Sequence, residues 1–524
     1  MSGGETAQGA ADTRRISAET MLAVLLVVAS GLGAVLQGQD ANIDLYRYRF
    51  YIGYAFVHHR LDRDLVPSAL GTFLNPTLDA FHYLGIAHLA PRVFSFLLGS
   101  LQGLNAVVVL WIARLVLPKD SSTRLLASLA AVLAASGPTA RSLLGTTLGD
   151  TTVSLPALLA LWLVLRGQDD SGVARVAVLG AAGFLGGAAV GLKLTMATSF
   201  VALVAVVLLG AATRTVAIGG ALAFMGGSAL GYLSLAGYWC WQLWQRFANP
   251  IFPYANQLFR SPYFRSAPIR DHRWLATGPW DYFSPPALMA LGATTRLQEI
   301  PFRDGRLALV LLAALAWIVL RLAGRCPPLR ARERSLLVHF AVLYLTWASA
   351  FYYWRYAAAL EYLAPLVLVV LARAALGRLA PPVCLAAAAL LLVTTTVGSW
   401  GRLDWGERWF YVRLPPQAYE PDSLVLVDSP LSSFLIPYFP EAARFAGLEW
   451  TGSQRFEELV SARIASHGGN LFWLVSRGRP AESSSPTRFG LEVTDDCGLI
   501  RTGEGKWALC RLRRPSGPRA GEPR

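Results

Sequence analysis

Charged side chains are scarce in this chain: Asp, Glu, Lys and Arg make up 15% of its 524 residues, where a soluble domain carries about a quarter. Acids are scarcer than bases, 33 against 47, for a net charge of +14. There are only five cysteines, none paired at a metal-like spacing, which removes cysteine metal sites from the reading. No Gly-rich phosphate loop or separate nucleotide-binding region is present, so a nucleotide-sugar donor domain is excluded. No segment repeats convincingly, which weighs against transporters built from inverted repeats.

What is present is hydrophobicity in long runs. Hydrophobic residues make up 54% of the chain and its mean hydropathy is +0.42. Crossing a bilayer takes roughly 20 apolar residues per helix, and such runs centre near residues 28, 105, 133, 158, 182, 203, 226, 315, 344, 367 and 390. The expected fold is therefore an all-α polytopic membrane protein with about 11 transmembrane helices. Several runs are rich in Ala and Gly, as close helix approach in lipid requires.

The bases do not form a nucleic-acid patch, and no nucleic-acid partner is expected. Arg14 and Arg15, Lys119 and Arg124, Arg166 and Arg175, Arg214, the group from Arg321 to Arg334, and Arg373 and Arg378 fall at alternate helix ends. This positive-inside pattern puts the N-terminus in the cytoplasm and, with an odd helix count, the C-terminus outside a bacterial-type inner membrane. Thr13-Arg14-Arg15-Ile16-Ser17 has a faint twin-arginine character, but the poor cleavage site and ten further runs favour a retained anchor.

Four segments follow. Residues 1–17 read as a disordered cytoplasmic leader, 18–399 as the membrane domain with outer loops at 38–92 and 238–304, 400–514 as a small external α/β domain, and 515–524 as a disordered tail. The α/β reading rests on strand-like runs at 423–427, 471–475 and 507–510, with a helical run at 456–464 between them. Cys497 and Cys510 lie together in this external region, either as a disulfide or as two buried thiols. In the first outer loop, Leu45, Tyr48, Ile52 and Ala55 recur at helical spacing, which predicts an amphipathic helix lying in the membrane interface. Residues 75–83 are expected to re-enter the bilayer surface before the second span.

The polar residues worth weighing sit at predicted outer helix ends. Asp40 and Asp44 are four apart, hence on one face of a wound segment, where two carboxylates raise each other's pKa and one can act as a base. Asp40 also has a capping explanation and could support Asp44 or hold a divalent cation, whereas Asp44 falls inside the helix and ranks first. Lys193 and Arg355 offer a point charge and a fork suited to phosphate. Glu361 lies two turns beyond Arg355, as either a structural ion-pair partner or part of that site. Tyr48, His58 and His59 are candidate substrate contacts, although His58, His59 and Arg60 read more simply as a basic interfacial patch. Asp150 reads as a helix N-cap.

An acidic first outer loop, an interfacial helix behind it, many spans and an external C-terminal domain together resemble the GT-C glycosyltransferases, which use polyprenyl-phosphate sugars. The run Asp44-Leu45-Tyr46-Arg47-Tyr48 is similar to the Asp-apolar-x-x-Tyr start of glycosyltransferase family 87. The resemblance implies a multi-pass enzyme in which Asp44 deprotonates an acceptor hydroxyl while polyprenyl phosphate leaves the sugar. The expected partners are a lipid-linked sugar donor, membrane lipids and a lipid, glycan or protein acceptor; no cofactor is implied. A lipid-linked polysaccharide polymerase or ligase, a secondary transporter and a non-catalytic scaffold are the alternatives.

Overall fold

A helix lies over each of the eleven apolar centres predicted from the sequence. The computed structural model describes residues 18–210, 214–269, 271–449, 453–476, 485–503 and 505–515. The predicted leader and all but the first residue of the predicted tail lie outside the described residues.

Among the described residues, five helical stretches are long and apolar enough to cross a membrane: Ala18–Leu36, Pro91–Val116, Gly172–Leu192, Val216–Phe247 and Trp354–Thr394. Two shorter apolar helices, Thr123–Ala135 and Leu194–Leu209, pack among them. The longest stretch is broken at Gly377 by a short turn, Gly377–Leu379, between helices Ala358–Leu376 and Ala380–Thr394. Ala358–Leu376 is buried along nearly its whole length and forms the axis of the bundle. Helices around it leave Leu312, Val319, Leu390 and Val393 exposed, as apolar side chains facing lipid would be.

The C-terminal region is a mixed six-stranded sheet. Its spatial order is Val412–Arg413, Glu492–Thr502, Lys506–Arg513, Asn470–Ser476, Ser423–Val427 and Arg444–Gly447. Ser423–Val427 runs parallel to both of its neighbours, while the other pairings are antiparallel. The three strand-like runs and the helix Gln454–Ser466 fall where the sequence predicts them. Glu492–Thr502 is not legible beforehand because it carries little apolar alternation and shifts register between Val493 and Cys497. Cys497 and Cys510 are cross-strand partners joined by a disulfide, with Cα atoms 4.0 Å apart.

One face of this sheet packs on Val460 and Ile464 of its own helix. The other face is shared with the first outer loop, since Val425, Phe434 and Phe472 form one core with Leu45, Phe50 and Ile52. The predicted interfacial helix is thus corrected. Residues 50–57 form a helix almost wholly buried between the membrane body and the sheet, because its apolar residues surround the axis rather than line one side. Arg60 is also no patch residue: it is buried, paired to Asp64 at 2.7 Å, and donates to the Ala443 carbonyl at 2.5 Å. Leu65 then bonds both ways with the edge strand, to the Phe445 carbonyl and from the Gly447 N–H, each at 2.8 Å. The two-residue strand Gln39–Asp40 pairs antiparallel with Arg402–Leu403, closing the chain's return to the end of the first helix.

Candidate functional site

The geometry begins with a widened turn. Leu45–Arg49 is wound as a π-helix with Asp44 at its start, an irregularity that recurs at functional sites because it re-aims side chains. Four residues later, a Cβ on Gly53 would lie 2.2 Å from the Asp79 carbonyl oxygen. Only glycine permits that crossing of helices Phe50–Val57 and Thr77–His88. The crossing brings Arg49 to 2.9 Å from the buried Asp79 carboxylate, with the His82 ring nitrogen 3.6 Å from the same oxygen.

Three more helix ends meet Asp44. Gly149, at φ +82, turns the chain into helix Asp150–Arg166 and makes Asp150 its first residue. The side chain of Asp150 is fully buried, 2.5 Å from the Lys193 ammonium and 3.2 Å from Arg355 Nε. Lys193 sits just past helix Gly172–Leu192 and also donates to the Leu148 carbonyl at 3.1 Å. Arg355 lies in the turn Trp354–Ala357 and donates from Nη2 to Asp44 at 3.4 Å. The rings of Trp400, Tyr353 and Tyr356 flank its guanidinium at 4.9, 5.3 and 5.7 Å. These arrangements favour a fixed cation.

Three carboxylates, of Asp44, Asp79 and Asp150, thus face three cations, Arg49, Lys193 and Arg355. Burying charges at this density is tolerable only because each is partnered. Asp150 is the most enclosed, while the side chains of Asp44, Lys193 and Arg355 keep 19%, 16% and 10% of their surface. Those three are therefore the members an incoming ligand can reach. Burial pushes the Asp44 carboxyl up, but Arg355, Arg49, Lys193 and the Tyr48 hydroxyl outweigh it and hold the group below the ordinary aspartate value. The expected rise in basicity is corrected: Asp44 faces cations, not a second carboxylate.

Asp40 does not join it. It is fully buried in the short strand, where its oxygens accept from the Asn42 and Thr147 backbone N–H groups at 3.2 and 2.8 Å and from the Asn42 amide and Thr147 hydroxyl. It braces the first loop against the loop before helix Asp150–Arg166, with no oxygen left over for a cation. Among the described residues no group of three or more His, Cys, Asp or Glu could hold a metal ion.

Glu361 also lies apart from the cluster. It accepts from the Thr139 and Ala140 N–H groups at 3.1 and 2.9 Å and from the Trp354 indole at 2.9 Å, so it is not the ion-pair partner of Arg355. It instead locks the turn that carries Arg355. His58 is exposed and shares a 3.1 Å hydrogen bond with the Tyr83 hydroxyl. His59 is exposed in a left-handed conformation, φ 51. Neither contacts the charged cluster.

Three members, Arg49, Asp79 and Trp400, are not among the sequence-predicted site residues, and a fourth, Asp150, is read from the sequence only as an N-cap. For Asp150 the signal was available, since an acid opening an otherwise apolar helix needs a cationic partner. An N-cap role does not describe it, because the capping position is Gly149. Asp44, Lys193 and Arg355 converge on one another through their shared contacts with Asp150 and Arg355. A groove of about 990 Å³ lies between helix Thr77–His88 and residues 407–413, and none of the three lines it. No protein-family model matches the chain, and none of the curated proteins compared with it matches.

Proposed function

We propose that this chain is a membrane glycosyltransferase of the GT-C type, moving a sugar from a polyprenyl-phosphate donor to an acceptor hydroxyl on the outer face of a bacterial-type inner membrane. The observation that carries the reading is the convergence of Asp44, Asp150, Lys193 and Arg355 from four separated helix ends. In this reading all eleven helices cross the bilayer, the N-terminus is cytoplasmic and the sheet domain lies outside. The Cys497–Cys510 disulfide supports that sidedness, because disulfides persist in oxidising compartments.

The acceptor oxygen attacks C1 of the sugar, its proton passes to Asp44, and the bond from C1 to the phosphate oxygen breaks. Polyprenyl phosphate leaves with the electron pair of that bond, and Lys193 and Arg355 neutralise the charge that develops on it. The contact from Arg355 to Asp44 is the longest of the cluster's arginine and lysine ion pairs at 3.4 Å, against 2.5 Å for Lys193 with Asp150. A donor phosphate that draws Arg355 toward itself also relieves Asp44 of the cation that suppresses its basicity. Donor binding and base activation are coupled in this way through one side chain.

A transporter has less support, since the charged groups lie at helix ends rather than near the middle of interrupted helices. The test is a panel of polyprenyl-phosphate sugars offered to the purified protein. Asp44→Asn is expected to lower transfer by about 10²–10⁴-fold with unchanged membrane insertion, and normal turnover by that variant would sink the assignment.

A further inference from the structure

The groove of about 990 Å³ has a lining unlike the cluster around Asp44. Arg408, Arg413 and Arg501 all face it, and Glu407 is the one acid among its walls. None of the three arginines forms an ion pair among the described residues. Arg413 and Arg501 are moreover direct cross-strand partners on adjacent antiparallel strands. Like charges directly opposite each other destabilise a sheet, and an anion seated between them turns that repulsion into two charge-assisted contacts. The Trp409 indole N–H lies in the same wall, buried and without a hydrogen-bond partner among the described residues.

The remaining wall belongs to the membrane body. Ile86, Ala87, Leu89 and Ala90 form it where helix Thr77–His88 hands over to the span Pro91–Val116. From there Phe81, Leu84, Val93 and Leu97 continue as exposed apolar side chains along the same two helices. A ligand whose polar end occupies the groove therefore has an apolar surface on which to lay a hydrocarbon tail. Trp409 and Phe410 are buried against Phe94 and Phe50, so the exposed ring in this lining is that of Tyr411.

We infer that this groove is a binding site for the anionic, phosphate-bearing headgroup of a membrane phospholipid, which ties the sheet domain to the bilayer surface. The inference does not depend on the transferase reading, since none of its residues belongs to the charged cluster.

The test uses the full-length purified protein and native mass spectrometry with three probes: phosphatidylglycerol, phosphatidylcholine and free glycerol 3-phosphate. Wild type is expected to retain one phosphatidylglycerol at least about tenfold more tightly than phosphatidylcholine, and Arg413→Ala/Arg501→Ala is expected to lose that preference. The control Arg444→Ala/Arg463→Ala, on another surface of the domain, is expected to keep it. Equal retention of the two lipids, an unaltered preference in the Arg413/Arg501 variant, or equal loss in the control would overturn the proposal. Saturation of the groove by glycerol 3-phosphate at the same concentration would overturn its lipid part. Because the variant removes a like-charge pair, its melting temperature in phospholipid-free detergent should match or exceed that of wild type, which separates lost binding from lost folding.

Discussion

Across 311 residues of chain, the Arg355 guanidinium comes to 3.4 Å from the Asp44 carboxylate. Each modifies the other: the cation keeps the acid ionised, and the acid helps to hold a cation that burial would otherwise expel. The same pair sets the expected pH behaviour of the proposed reaction.

Asp44 is held below the ordinary aspartate value, with burial opposing and Arg355 the largest of the lowering influences. A carboxylate with a depressed folded pKa contributes stability above its unfolded value, and that stability is lost as pH falls through the folded one. The acid limb of kcat/KM should therefore lie below the ordinary aspartate range in wild type. Arg355→Gln removes the main lowering influence, leaves burial in place, and should move that limb to higher pH. Donor binding should weaken in the same variant by about 10–100-fold, the worth of a hydrogen bond to a charged group. A pH–rate profile with an unmoved acid limb counts against the coupling.

Asp150 neutralises Lys193 at 2.5 Å and Arg355 at 3.2 Å. Asp150→Ala leaves the largely buried Lys193 without its ion-pair partner and Arg355 with Asp44 alone, which costs about 3–5 kcal/mol. Asp150→Asn/Lys193→Met should recover much of that loss, because removing both partners avoids the orphaned charge. Thermal denaturation in detergent of the single and double variants measures the difference.

For Asp40 the expected outcome is structural. Asp40→Ala leaves the buried Asn42 amide and Thr147 N–H without their acceptor, a loss of about 1–3 kcal/mol for each unsatisfied group. The folded fraction should fall while the rate per folded molecule stays near wild type. Active-site titration combined with a stability measurement separates the two, and a large fall in the rate per folded molecule would return Asp40 to the chemistry.

The disulfide joins residues 13 apart in sequence. Closing a loop of that length stabilises a folded domain by about 3 kcal/mol in the chain-entropy account. Cys510→Ser should lower the melting transition of the sheet region and leave the helical bundle unaffected, and circular dichroism at two wavelengths distinguishes the two.

Much of the architecture was legible because its causes are local. Long apolar runs announce helices whatever they pack against, and every predicted centre carries one. Alternating or continuous apolar strands flanked by turn residues announced the middle of the C-terminal sheet. The polar strand Glu492–Thr502 is not legible in the sequence because two neighbouring strands and a disulfide hold it, rather than a hydrophobic face. The buried helix at residues 50–57 looked amphipathic because a sequence shows periodicity but not what covers the other side.

The candidate site divides along the same line. The sequence by itself determined that Asp44, Lys193 and Arg355 stand at helix ends, since a charge interrupting an apolar run has nowhere else to go. Only the tertiary structure decided that the partner at their centre is Asp150, that Asp40 is a brace and that Glu361 caps a neighbouring turn. Electrostatic partnership is a matter of a few ångströms between distant segments, and helix packing sets those distances. Spacing along the chain, which predicts a shared face for residues four apart, carries no information about which helix end will be its neighbour.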